Sequence, residues 1–143
     1  MFYKHQSPDD RLSAWREVRQ KHHSNIQEVL DEFASIKPIP RYIDYYTPKS
    51  WPNVFDIVRE GYLCQSGITL ILTATLVRKQ FITSDELKFL VISNHTNGND
   101  GLVLLYENQV YNFLSDKAVS VDEMKENSTQ FGSHTVQVNQ LFR

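Results

Sequence analysis

Between residues 62 and 80 the chain carries Leu63, Ile68, Leu70, Ile71, Leu72, Ala74, Leu76 and Val77, with no cluster of turn formers to interrupt them. Apolar residues fall on almost every face of this segment, so whatever element it forms must lie in the middle of the protein. Its β-branched residues suit a strand, but strands seldom run past about ten residues, and length decides for a helix. The run is also too short and too rich in threonine to span a membrane. The only cysteine, Cys64, stands at its start.

Upstream, helical signals dominate. Ser7-Pro8-Asp9-Asp10 reads as a cap, a proline in the first helical position and two acids at the positive end of the dipole. Leu12, Trp15 and Val18, with Arg19 at the same edge, give that helix a narrow apolar stripe. His22-His23-Ser24-Asn25 breaks the pattern and offers a fresh cap, after which Ile26, Val29, Leu30, Phe33 and Ala34 predict a second helix to about residue 36. Lys37-Pro38-Ile39-Pro40 ends it, because proline lacks an amide donor and pushes its predecessor out of the α region. Residues 41–49 then read as an extended strap whose Tyr42, Tyr45 and Tyr46 pack while keeping their hydroxyls wet. Ser50-Trp51-Pro52 restarts helix, with Val54, Phe55, Ile57 and Val58 inward and Gly61 as a left-handed cap.

After residues 83–86 the period changes. Strands are expected at 87–93 and 102–106, separated by the polar loop 94–101, and at 110–114 beyond the tight turn Glu107-Asn108-Gln109. A further short strand at 117–121, a short helix at 121–127 capped by Ser120, a loop at 128–133 and a final strand at 134–142 complete the reading. The expected fold class is α+β: N-terminal helices and one central buried helix packed on an antiparallel sheet of three or more strands. A length of 143 residues fits a single domain, divided into a helical segment 1–36, an aromatic connector 37–50 and an α+β core 51–143.

Charge and cysteine usage narrow the function classes. A net charge of -2 and a pI near 6.2 lack the basic footprint of a duplex-binding protein. A lone cysteine forms no internal disulfide, and residues 1–11 lack the apolar stretch of a signal peptide, so a cytoplasmic setting is expected. Asn94-His95-Thr96 and Asn127-Ser128-Thr129 then read as polar loops rather than glycosylation sites. His22-His23 has no partner at metal-ligand spacing, and the loop 94–101 offers too few carboxylates for calcium. No metal and no cofactor are expected.

Cys64 carries the sharpest chemistry. A thiol at the start of a buried helix has its thiolate favoured by unpaired amides and the helix dipole. A cysteine enzyme adds a histidine as base and an Asp or Asn to orient it. In chain order those roles fall to Cys64 as nucleophile, His95 as base and Asn112 as orienter. This order resembles that of papain-like and transglutaminase-like cysteine enzymes, in which the histidine is expected at the start of a following strand; here that place holds Asp100-Gly101. The bland reading is that Cys64 is inert core, sharing a helical face with Ile68, Ile71 and Thr75.

The run Trp51-Pro52-Asn53-Val54-Phe55-Asp56-Ile57, then Tyr62-Leu63-Cys64, Leu76, and Val110-Tyr111-Asn112-Phe113, resembles a group of uncharacterised proteins of tailed bacteriophages. That group shows a Trp-Pro-x-Pro-Trp-Glu-Leu-like start, a Tyr-Cys pair opening a long apolar helix and a late strand with an apolar-x-Asn-aromatic pattern. The likeness spans 51–113, and this chain departs from it at Val54 and Phe55, where Pro and Trp are usual. The pattern is also similar to transglutaminase-like and papain-like cysteine folds, here in a form that has lost its histidine. The resemblance implies a phage origin, with the protein in the cytoplasm of an infected bacterium or in the virion.

Three functions follow as expectations. The first is a non-catalytic accessory or virion-associated protein that binds another protein, phage structural or host, or a second copy of itself as a homo-oligomer, through Tyr42, Tyr45, Tyr46 and Trp51; aromatic residues concentrate at interface centres. The second is a cysteine-dependent hydrolase or acyltransferase using Cys64, His95 and Asn112. The third, against which Asp44 and the acidic net charge count, is a single-stranded nucleic-acid binder through the tyrosine-rich connector.

Overall fold

The computed structural model describes residues 7–39 and 42–143. Pro40 and Arg41, where the proline break meets the strap, and residues 1–6 of the expected helical segment lie outside the described residues. Helix α1 (Pro8–Gln20) begins on the Ser7 hydroxyl, which accepts the Asp10 amide at 3.0 Å, and it buries Trp15 and Val18. Helix α2 (Ile26–Phe33) begins on the Asn25 side chain. It stops at Phe33 rather than near residue 36, although Ile36 is still buried.

Helix α3 (Val54–Glu60) starts later than Ser50-Trp51-Pro52 suggested. Residues Pro48–Ser50 close a 3-10 turn, and the Asn53 side chain is the cap that accepts the Asp56 amide at 2.8 Å. Gly61 ends the helix with φ 72°, as a left-handed cap requires.

The central helix α4 (Gln65–Arg78) is buried from Ser66 through Leu76. Its threonines are compatible with that burial because each hydroxyl finds a carbonyl. Thr73 donates to Thr69 O at 2.7 Å and Thr75 to Ile71 O at 2.8 Å. Thr75 also accepts from the Trp15 indole at 3.0 Å, which pins α1 to α4.

The sheet has five antiparallel strands in the order β4-β3-β2-β1-β5: β1 (Glu86–Asn94), β2 (Asp100–Tyr106), β3 (Gln109–Tyr111), β4 (Val119–Ser120) and β5 (Ser128–Gln137). Strand β1 is buried on both faces. Leu87, Phe89 and Val91 join the large core under α4, while Leu90 and Ile92 join Val103, Val110, Phe113 and Met124 in a smaller core. Helix α5 (Val121–Glu126), capped by Ser120, closes that second face.

Several expected boundaries move. Strand β3 ends at Tyr111, not at residue 114, because Asn112 turns into the left-handed region at φ 67°. The short strand expected at 117–121 reduces to Val119–Ser120. The loop expected at 128–133 is the first half of β5, which runs in register with β1 from Asn94↔Ser128 to Glu86↔Gln137, with an irregularity opposite Val91 and Ile92. The strand expected at 134–142 ends at Gln137, and Val138–Phe142 form a 3-10 turn. Among the described residues, no helix is long and apolar enough to cross a membrane.

Candidate functional site

Cys64 is the N-cap of α4, and its sulfur accepts the Gly67 amide at 3.4 Å. Glycine is required at 67 by close approach: a Cβ there would lie 1.8 Å from the Tyr62 carbonyl oxygen. Gly101 plays the same part opposite, since its Cβ would meet the Ser66 hydroxyl at 2.8 Å. The first turn of α4 therefore lies directly on the start of β2.

Polar side chains fix that contact. Ser66 Oγ accepts the Leu102 amide at 3.1 Å, and the Thr69 hydroxyl donates to Leu102 O at 2.7 Å. Gln65 and Asn112 form a reciprocal pair: Gln65 Nε2 donates to Asn112 O at 2.7 Å, and Asn112 Nδ2 donates to Gln65 O at 3.3 Å and to Thr69 Oγ1 at 2.9 Å. The left-handed turn at Asn112 is what brings its amide back to the helix. Asn112 thus holds the residue beside Cys64. A cleft of about 360 Å³ opens against the same Gln65 and Asn112, walled by Phe33, Ile68 and Phe113.

His95 follows β1 and is held on its far side. Its amide donates to Asn127 O at 2.8 Å, and its Nε2 lies 2.8 Å from Thr129 Oγ1. The register places Thr129, Ser93 and Asp100 directly opposite one another across β5, β1 and β2. Ser93 continues the row Leu87, Phe89, Val91, so all three face the α4 side of the sheet. The imidazole is therefore tied to a residue on the same face as Cys64 but two strands from the head of β2, about 10 Å at the usual strand spacing. Among the described residues the only hydrogen-bond partner of the thiol is the Gly67 amide, so Cys64 and Asn112 meet through Gln65 while His95 stands apart.

The strap covers the rest of this face. The Ile39 amide donates to Leu63 O at 3.0 Å, next to Cys64, and His134 Nε2 lies 2.9 Å from Tyr45 O. Trp51 donates to Asp44 O at 2.9 Å and stands edge-on to Phe89 and His134. The Tyr45 phenol is pushed above its ordinary pKa by burial first, then by Tyr46, Asp100 and Tyr42. Tyr42 and Tyr46 touch the Tyr45 ring yet remain 67% and 56% exposed.

No protein-family model matches the sequence, and no curated protein matches it either. The structure, however, is similar to that of calcium-bound LapG from Legionella pneumophila, with a TM-score of 0.62 at 17% identity over 93% of this chain and 79% of that chain. The fold is transglutaminase-like. In this core Cys64 stands at the head of the central helix, Asp100-Gly101 begins β2, and Asn112 lies just past the end of β3. Among the described residues no group of three or more His, Cys, Asp or Glu side chains could hold a metal ion. Sequence reasoning passed over Gln65, Ser66, Thr69, Ser93 and Thr129. Each is brought to the site by the docking of α4 on the sheet, for which no local pattern exists.

Proposed function

We propose that this chain is a cysteine-dependent hydrolase or acyltransferase with Cys64 as nucleophile. The observation that carries the reading is the cysteine at the head of α4, its sulfur on the Gly67 amide, in a transglutaminase-like core whose first helical turn is fixed to β2 and β3. In the proposed reaction the sulfur attacks an acyl carbon and the leaving group departs with the thiol proton. Water, or an acceptor amine or alcohol, then releases the acyl group. His95 is the proposed base: its imidazole is held at the Thr129 hydroxyl and its amide at the Asn127 carbonyl, so reaching Cys64 requires the backbone after β1 to move as well as the loss of these hydrogen bonds. Asn112 acts as a positioning residue through Gln65 and Thr69.

Activated phenyl esters test the reading by intact-mass analysis. A thioester on Cys64 is expected, absent in Cys64→Ser and formed about 10²–10⁴-fold more slowly in His95→Ala, the usual worth of a general base. Acylation at the same rate in His95→Ala would remove the histidine from the mechanism, and an adduct that persists in Cys64→Ser would remove the cysteine.

A second reading, a phage-associated protein that binds another protein without catalysis, is favoured by the exposed rings of Tyr42 and Tyr46. It calls for a partner to be lost on substitution of Tyr42 and Tyr46 while Cys64→Ser has no effect.

A further inference from the structure

Several cations away from Cys64 are held by hydrogen bonds or ion pairs. Arg11 bonds the Val58 and Arg59 carbonyls, Lys21 pairs with Glu32, and Lys79 donates to the carbonyls of Arg19 and Lys21. Arg19 and Arg78 are held differently, by stacking on aromatic rings. The Arg19 guanidinium carbon lies 4.1 Å from the Trp15 ring centre and 5.9 Å from that of Phe55. That of Arg78 lies 4.3 Å from Phe142, whose ring centre is 6.3 Å from Phe55. Two guanidiniums thus rest on one continuous aromatic surface. Stacking of this kind holds the planar fork in place and leaves its N–H edge to bond outward. Among the described residues Arg19 Nε is buried without a hydrogen-bond partner, a donor left unsatisfied.

We propose that Arg19 and Arg78 form a clamp for the phosphoryl group of a small soluble ligand. A phosphoryl group offers several acceptor oxygens that two fixed forks can engage at once, with charge-assisted bonds stronger than neutral ones. The guanidinium of Arg19 is held below its ordinary pKa range by burial first, then by Arg78 and Arg16, and a bound dianion would relieve that repulsion. The acidic net charge supplies no wider basic track for a nucleic-acid backbone. At 1.5 Å per residue the 14 residues of α4 put Arg78 about 20 Å from Cys64, so the clamp stands whether or not the thiol is reactive.

Titration calorimetry of the full chain with pyrophosphate and inorganic phosphate, at constant ionic strength in chloride, tests this. Saturable one-to-one binding is expected, weakened at least about tenfold in Arg78→Gln and in Arg78→Lys, which keeps the charge and loses the fork. Arg78 is exposed, so both variants should keep the wild-type circular dichroism and the wild-type rate of Cys64 modification. Heats no larger than those of matched chloride, or pyrophosphate affinity unchanged in Arg78→Gln, would overturn the proposal. Full affinity in Arg78→Lys would overturn the clamp in favour of diffuse charge.

Discussion

Gly67 shows how a single missing side chain can be structural. In the interior of an ordinary helix Gly→Ala gains about 1 kcal/mol. Here the added methyl meets the Tyr62 carbonyl, so Gly67→Ala is expected to lose about 1–3 kcal/mol in urea denaturation, as overpacked sites do. A gain in stability would show that Tyr62 can move away from the head of α4. Asn112 offers a second test of the same turn. At φ 67° alanine pays about 1–2 kcal/mol that glycine does not, so Asn112→Ala should be less stable than Asn112→Gly by that amount. Both lose the bonds to Gln65 and Thr69, and equal stabilities would contradict the backbone argument. Glu32 supplies a pH dependence. Burial raises its carboxyl pKa, but the hydrogen bonds and charges of Lys21 and His23 outweigh this and hold it below the ordinary value. A depressed folded pKa stabilises above the unfolded value near 4.3 and loses that contribution as pH falls through the folded one. Glu32→Gln should therefore cost about 1–3 kcal/mol at neutral pH, with the difference shrinking below about pH 4.

Among the elements, legibility follows how local the signal is. The Ser7-Pro8 start of α1, the all-round apolarity of α4, the Glu107-Asn108 turn with φ of 50° and 64°, and Ser120 before α5 are written in adjacent residues, and the structure shows each. The first half of β5 is different: Ser128, Thr129 and Gln130 carry no apolar alternation, and they become strand because β1 presents an edge to pair with. Tertiary context likewise shortened β3, through a residue that leaves the ladder to reach α4. The site was legible to the same degree. The cysteine at the head of a buried helix could be read directly, whereas the Gln65–Asn112 pair and the row Thr129, Ser93, Asp100 arise only from how elements dock.

At the scale of the whole molecule, β1 belongs to both cores, so neither can form without it. The expectation of one domain becomes a measurable one: far-UV circular dichroism, which follows the helices, and tryptophan emission, which follows Trp15 and Trp51, should report coincident urea transitions. Separated midpoints would mean that the layers fold independently. The central claim is that this transglutaminase-like frame presents Cys64 as a working thiol. The rate of iodoacetamide modification of the native protein near neutral pH, mapped by mass spectrometry, tests it most directly. The account predicts modification of Cys64 while the fold is intact, slowed in His95→Ala; modification only after unfolding would contradict it.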